Sequence, residues 1–472
     1  MKKIIYVFTG ALILTFAMSS CKSGGSELDS DTNLKFSTST VEQQKQTIEK
    51  SGMDLADKMT GLQQTQGYVT LSQFTESSGG SFAPTLVSSF RQLRANLVRN
   101  DVNALESFNK QLRIASNAGN DIWGTWTWNV KTQDFDRSSA VVLNKAVLMF
   151  PANDLNSTVN NAVLTLNYSE SNVLVPETDP AEFYPKSISA ILKVNNAEVL
   201  NAQFAGSYAS DGTPTSLTQT LVIGAYNWSA SVTNKSTDVS ANYTFKYNND
   251  ILLKYSVGAA GSFTATQIEA IVNDNNGNKG PADVVKSGYM SFQIMNVAIY
   301  GGITDVKGFT TEEDALSPEL IVHQRDNSSY TEYFYGKSYR DKQVTIFNKY
   351  LKFYGYFASE KHKFADVELY TTEELGIDYN APASLVYTIT SSNYKPTIPS
   401  TVKYDYCIED WNYNSTTKKN EFTYKYYMYA TKTFYDIQPR LVLSDGSKIT
   451  DFENYANSNF RTVITKFESM FN

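Results

Sequence analysis

The chain has 472 residues with 41 basic and 48 acidic side chains, and its formal net charge at neutral pH is −7. An acidic chain without a basic cluster is a poor match for nucleic-acid binding, so we expect no nucleic-acid partner. The length suggests two or three domains with ample core. The chain has two histidines, His323 and His362, and two cysteines, Cys21 and Cys407. Their spacing in the sequence is not that of metal ligands. We therefore expect no metal site and no cofactor.

The first twenty residues have the layout of an export signal. Lys2 and Lys3 begin it, an apolar run covers residues 4–18, and two serines precede Cys21. The run has about 15 residues, against roughly 20 for a bilayer-spanning helix, which favours a cleaved signal. This pattern resembles a bacterial lipoprotein signal, with Cys21 as the lipidated residue. It departs from such signals at Met18, where Leu is usual, and the alternative is an ordinary secretory signal.

The resemblance implies an address in the cell outer membrane, with acyl chains such as palmitate as the membrane contact. Lys22 directly after Cys21 favours the outer over the inner membrane. The Ser, Gly and acidic residues that follow are similar to the tether of Bacteroidota-type surface lipoproteins, and surface or periplasmic orientation stays open. We predict a signal peptide over 1–20 and a lipidated flexible tether over 21–37. Acylation of Cys21 leaves Cys407 without a disulfide partner, and we expect Cys407 to be a buried small hydrophobe.

Residues 38–120 have helical periodicity. Ser39 and Glu42 predict a capping box at the start of the first helix. Its apolar stripe consists of Val41, Ile48, Leu55, Met59 and Leu62. Two further helices are predicted from a second set of apolar residues at helical spacing: Leu86, Phe90, Leu93, Leu97, Leu105, Phe108 and Leu112. These stripes are expected to form core.

Residues 121–305 change to a period of two. One set of alternating apolar residues is Ile188, Ala190, Leu192 and Val194, and another is Val239, Ala241, Tyr243, Phe245 and Tyr247. Turn residues separate long runs, at Asn195 and Asn196 for example. Short links force neighbouring strands to pair antiparallel, so we predict a large antiparallel meander, either a curved sheet or barrel-like. One helix is expected near 266–272, followed by a strand over 289–300.

Residues 306–472 are rich in tyrosine and predict a C-terminal α+β part. A hairpin turn is expected at 444–447, and an amphipathic closing helix packed on the sheet is expected from 460 to 470. The fold class is therefore α+β, with N-terminal helices, a large antiparallel sheet and a smaller α+β end.

Two aromatic pairs in the sheet are candidate ligand-binding residues. Trp126 and Trp128 follow Gly124, and Gly-x-Trp at the start of a first strand is similar to lipocalin-like barrels; the alternative is a core pair. Tyr226 and Trp228 share one face of a strand that is apolar on both faces. Such a strand lines a cavity for an acyl chain, or it is covered by a helix.

Tyr426 and Tyr429 are candidates for aromatic platforms that stack against sugar rings. The alternative is that they are ordinary strand residues. No Gly-x-Ser-x-Gly elbow supports a nucleophile, and residues 274–278 fail the EF-hand pattern because the Gly stands one place early. We therefore expect a non-enzymatic role, with a glycan or an envelope protein as partner. The first alternative is a carrier of a lipid or acyl chain on the concave sheet. The second, less favoured alternative is a hydrolase.

Overall fold

The computed structural model describes most of the chain, with several internal gaps. The described residues are 34–76, 91, 123–137, 142–175, 183–272, 280–325, 328–378, 381, 383–391 and 397–471. The chain divides into two compact units. Unit 1 takes its described residues from Met1–Gly308, Tyr350–Val367 and Leu441–Asn472, and unit 2 from Phe309–Lys349 and Glu368–Arg440. The sequence predicted a β domain over 121–305 and a separate region over 306–472. Unit 1 also includes residues 350–367 and 441–472, which the prediction assigned to the later region.

The described residues contain seven α-helices and twenty-one strands. The helices are α1 (Val41–Met59), α2 (Gln66–Glu76), α3 (Ala265–Val272), α4 (Val306–Asp314), α5 (Lys337–Tyr350), α6 (Phe452–Asn459) and α7 (Arg461–Phe471), and two 3-10 turns cover Leu62–Gln64 and Pro281–Asp283. The first twelve strands are β1 (Gly124–Asn129), β2 (Asp134–Arg137), β3 (Lys145–Phe150), β4 (Ala162–Leu174), β5 (Phe183–Val194), β6 (Ala197–Tyr208), β7 (Pro214–Ile223), β8 (Tyr226–Lys235), β9 (Asp238–Tyr247), β10 (Asp250–Gly261), β11 (Val285–Ile294) and β12 (Val297–Ile303). The others are β13 (Glu319–Arg325), β14 (Ser328–Phe334), β15 (Leu351–Phe357), β16 (His362–Asp378), β17 (Ser384–Ser391), β18 (Tyr406–Asn414), β19 (Lys419–Met428), β20 (Ala430–Leu443) and β21 (Lys448–Ile449).

The main sheet confirms the predicted antiparallel meander. Its strand order is β2-β1-β3-β4-β5-β6-β7-β8-β9-β10-β11-β12-β15-β16-β20-β21. From β3 to β12 each strand pairs antiparallel with the next in sequence, as expected wherever the link between two strands is short. The exception is β1, which pairs in parallel with β3. The sheet is open, ending at β2 and β21, so the barrel-like form of the prediction is wrong.

The turns between these strands use residues that tolerate a left-handed backbone. Asn195 and Asn196 link β5 to β6 with φ of 50° and 67°, as predicted. Met295, at φ 50°, and Asn296 form the link between β11 and β12. The predicted single strand over 289–300 is wrong, because this two-residue turn divides it. No Gly or Pro marks the turn, and a Met at positive φ is uncommon.

One face of the sheet forms the core of unit 1. The predicted alternating set in β5 is buried, with Ala190 and Leu192 each 1% exposed. In an antiparallel pair, facing residues point to the same side, so Leu192 continues into Leu164 of β4 and Leu200 of β6. The opposite face is polar over these strands; Asn167 there donates from Nδ2 to Ser189 Oγ at 3.0 Å.

Helices α1 and α2 cover the apolar face. The N-cap of α1 is Thr40, whose hydroxyl accepts from Gln43 N–H while Gln43 Oε1 accepts from Thr40 N–H at 2.9 Å. The predicted capping box, with Ser39 and Glu42, is therefore displaced by one residue. Four helix and turn residues join the core cluster of the sheet: Leu55, Leu62, Leu71 and Phe74. The two further helices predicted from residues 86–112 lie outside the described residues.

The closing helix α7 packs against α1, whereas the sequence predicted packing on the sheet. Gly52 permits the close approach: a Cβ at Gly52 would lie 2.5 Å from Val463 Cγ1. Lys466 Nζ donates to Asp57 Oδ1 at 2.6 Å along the same contact. The predicted hairpin turn at 444–447 is confirmed between β20 and β21, with Gly446 at φ 81°.

The segment before α1 is attached to the sheet. Phe36 forms an isolated parallel bridge to Lys363 in β16. Ser37 N–H donates to Lys363 O at 2.7 Å, and Lys363 N–H donates to Lys35 O at 2.8 Å. The Lys363 ammonium also lies 4.9 Å from the centre of the Phe36 ring. These contacts hold the end of the segment that was predicted as a tether over 21–37.

Unit 2 contains two small sheets. One is the hairpin β13-β14, and the other has the order β17-β19-β18, so β17 and β18 are its edge strands. Helix α5 bonds within this unit through Asn348, whose side chain donates to Leu369 O at 2.9 Å and accepts from Leu369 N–H at 2.9 Å. Strands β16 and β20 belong in part to each unit.

Candidate functional site

The residues that the structure describes form no metal-binding cluster. Within these ranges, no three His, Cys, Asp or Glu side chains are grouped closely enough to hold a metal ion. None of the helices in the described part is long and apolar enough to cross a bilayer. Cys21, the predicted lipidation site, lies outside the described residues.

The first predicted aromatic pair lies at the edge of the core. Trp128 is 4% exposed, and its Nε1–H donates to Leu155 O at 2.9 Å. Trp126 is half-buried, with the Arg137 guanidinium 4.8 Å from its ring centre. A polar surface groove runs beside this strand, with Asp136 among its lining residues. Because the Trp128 ring is buried, it contributes little surface to that groove.

The second predicted pair is covered by a helix. Tyr226 and Trp228 are each 2% exposed, and the Trp228 ring stacks on Phe245 with centroids 4.6 Å apart. Tyr226 Oη donates to the carbonyl oxygen of Lys58 in α1 at 2.6 Å. Burial raises the pKa of Tyr226 above its ordinary value. Of the two arrangements considered for this face, helix cover is the one observed.

The space between α2 and the sheet is also filled. Leu71 and Phe74 of α2 contact the sheet side chains Phe150, Leu164 and Leu192, and the gap they enclose has no room for a water molecule. Where α2 covers the sheet, the apolar face therefore has no open groove for an acyl chain.

Tyr426 of the predicted tyrosine pair lies in β19 of the three-stranded sheet of unit 2, and Tyr429 lies in the link between β19 and β20. Tyr426 is 6% exposed and packs edge-on against Tyr404 with centroids 4.8 Å apart. Its ring is therefore unavailable as a surface platform. Tyr429 is half-buried and contacts Tyr406 at 5.2 Å between centroids. Burial raises the pKa of Tyr426, in keeping with a packing role.

Strand β18 carries the most exposed aromatic side chains of this sheet. Trp411 is 67% exposed and Tyr413 is 53% exposed. They lie two residues apart, so their side chains point to one face with α-carbons about 7 Å apart. Trp411 pairs with Phe422 of β19, which is half-buried beside it. Glu409, also exposed, shares this face. We call Glu409, Trp411, Tyr413 and Phe422 the aromatic edge.

The aromatic edge is supported by the packed central strand β19. Phe422 and Tyr424 stack in β19 with ring centroids 6.4 Å apart, and Tyr424 is buried. On the other face of β18, Asp410 accepts from Lys425 Nζ at 3.0 Å, which ties β18 to β19. Two exposed rings thus stand on a strand that is bonded along its full length to a packed neighbour.

Cys407 is exposed, and the prediction of a buried small hydrophobe is wrong. The reason is its position in an edge strand, since nearly every residue of β18 faces solvent. The same property explains why the sequence did not single out Trp411 and Tyr413. The alternation of aromatic and polar residues in β18 is the same as in a strand with one face in the core. The sequence signal for exposure is the carboxylate of Glu409 on the same face as Trp411 and Tyr413.

No protein-family model, curated protein or solved structure matches this chain.

Proposed function

We propose that this protein is a lipid-anchored lipoprotein of the cell outer membrane, with a non-enzymatic role in binding glycans through the aromatic edge. The export signal and Cys21 support the anchor. The exposure of Trp411 and Tyr413 carries the binding role. The anchored protein would face the cell surface or the periplasm.

The chemistry of the aromatic edge suits a sugar ring. One side of a pyranose ring presents C–H groups, which pack against an indole or phenol face, while its hydroxyls remain available for hydrogen bonds. Trp411 and Tyr413 supply two such faces at successive positions of one side of β18. Glu409 supplies acceptor oxygens, and the phenol of Tyr413 both donates and accepts. Aromatic groups with a polar end are suited to contacts that remain partly wet.

The carrier alternative receives less support. Helices α1 and α2 cover its predicted site on the concave sheet. Tyr226 in that site donates a hydrogen bond to the carbonyl oxygen of Lys58 in α1. A partner protein is the other candidate ligand, because an edge strand such as β18 presents unpaired backbone groups to a second chain.

Glycan-array binding of the detergent-solubilised full chain tests the proposal. We expect binding to one or more oligosaccharides, and a loss of about tenfold or more in affinity for Trp411→Ala, since about 1.4 kcal/mol of stacking corresponds to tenfold. Ile408→Ala is the matched control, because Ile408 is exposed on the opposite face of the same strand. Absence of glycan binding, together with co-purification of one envelope protein that depends on Trp411, would assign the surface to a protein partner instead.

The anchor is tested separately. Metabolic labelling with an alkyne-bearing palmitate analogue should mark the wild-type protein and leave Cys21→Ser unlabelled. Protease treatment of intact cells then distinguishes surface from periplasmic display. Labelling that persists in Cys21→Ser would remove the lipoprotein assignment and leave the glycan-binding proposal in place.

A further inference from the structure

The aromatic edge carries charge of one sign on its ligand face. Glu409 lies two residues before Trp411 in β18, and both side chains are exposed on the same side of the strand. Asp410 points to the opposite face, where it bonds to Lys425. Among the side chains of β17, β18 and β19 that share the face of Trp411, Glu409 is the only carboxylate or cation.

Two lysines lie at the end of β18 that is far from Glu409. Lys418 has φ 53° in the turn between β18 and β19. Lys419 pairs with Asn414, which puts it on the face of Asp410. A ligand stacked on Trp411 therefore meets the carboxylate of Glu409 at one end, and the turn lysines lie beyond Tyr413 at the other.

We propose that the aromatic edge selects its glycan by charge, accepting neutral sugars and amino sugars and disfavouring uronic acids and sulfated sugars. This inference rests on the proposed glycan-binding function. A carboxylate accepts hydrogen bonds from hydroxyl or ammonium groups, and such charge-assisted bonds are the stronger ones. A second carboxylate on the ligand has no proton to offer at neutral pH and is repelled.

The expected selectivity is modest because the site is open to solvent. Two unit charges about 5 Å apart in water-like surroundings change an equilibrium constant by about fourfold. An amino sugar should therefore bind about fourfold more tightly than the neutral sugar, and the corresponding uronic acid about fourfold less tightly. Both differences should shrink as salt is raised, because exposed charges are screened.

The test compares three β-1,4-linked hexamers, of glucosamine, glucose and glucuronic acid, in calorimetric titrations of the detergent-solubilised full chain at low salt. We expect affinity to fall in that order. Glu409→Gln should bring the three affinities to within about twofold of one another, since the amide is neutral but keeps an acceptor. Asp410→Asn, one residue along and on the other face, is the matched control and should keep the order.

The outcomes separate the two proposals. If the glucuronate hexamer binds as tightly as the glucosamine hexamer, while Trp411→Ala still weakens binding by about tenfold or more, the charge selection alone is overturned. An order that survives in Glu409→Gln would also overturn it, because the selectivity would then arise elsewhere. Failure of all three hexamers and of the glycan array would overturn the glycan-binding function and the charge selection with it.

Discussion

The contact between α1 and α7 at Gly52 gives a prediction whose sign is opposite to that of an ordinary helix substitution. Replacing Gly with Ala inside a helix usually stabilises it by about 1 kcal/mol. At Gly52 the added Cβ would lie 2.5 Å from Val463 Cγ1 and 3.3 Å from Val463 Cγ2. Valine is stiff at χ1 in a helix, so its methyl groups cannot turn away without strain.

Relief of that clash requires α7 to shift, and overpacking of this kind costs about 1–3 kcal/mol. The gain in helix propensity offsets part of it. We therefore expect Gly52→Ala to weaken the docking of α7 by about 1 kcal/mol. That is about a fivefold increase in the population of undocked α7, since RT is about 0.6 kcal/mol.

Hydrogen exchange of the α7 amides, followed by mass spectrometry on peptides covering 461–471, measures this directly. Gln46→Ala is the control, since Gln46 is exposed on α1. Adding Val463→Ala to Gly52→Ala removes the clashing methyl groups, and we expect exchange slower than in Gly52→Ala alone. Exchange in Gly52→Ala equal to or slower than in the wild type would refute the close packing at Gly52.

Three further predictions concern buried and exposed side chains. Tyr226→Phe removes the bond to Lys58 and should lower the free energy of unfolding in urea by about 1 kcal/mol. Because burial raises the pKa of Tyr226 above 10.0, its stabilising effect is present below that pH and lost above it, so the alkaline decline in stability should be shallower in Tyr226→Phe; an unchanged decline would contradict this. Cys407 in Cys21→Ser should react with a thiol reagent without denaturant, and reaction only in urea would show that it is buried. Leu148→Ala should lower the free energy of unfolding by about 2–5 kcal/mol, since Leu148 is fully buried, and a loss below 1 kcal/mol would contradict the core assignment.

The sequence predicted the main sheet well because the governing signals are local. Alternation in β5 placed Ala190 and Leu192 inside, and the asparagine pair at Asn195 adopts the left-handed backbone that a two-residue hairpin needs. The start of α1 was found to within one residue because Thr40 and Gln43 repeat the spacing of Ser39 and Glu42. The parallel pairing of β1 with β3 depends on distant strands, and no local pattern specifies it.

The candidate site was harder to predict than the fold. Tyr426 and Trp411 both lie in alternating aromatic strands, yet one is buried and the other exposed. The difference is their place in the sheet, since Tyr426 belongs to the central strand β19 and Trp411 to the edge strand β18. Strand order is a non-local property, and an aromatic residue has the same sequence signature in either position.

The pairing of α1 with α7 has a consequence for the order in which the chain folds. Asp57 and Lys466 are 409 residues apart in sequence, and they meet in the folded protein. Because a chain is made from its N-terminus, α1 emerges long before α7. The strands from β3 to β12 can pair one after another during that time, since each of them pairs with the next in sequence. The side of α1 that receives α7 then stays open until synthesis of the chain nears completion, so the docking of α7 is a late step in folding.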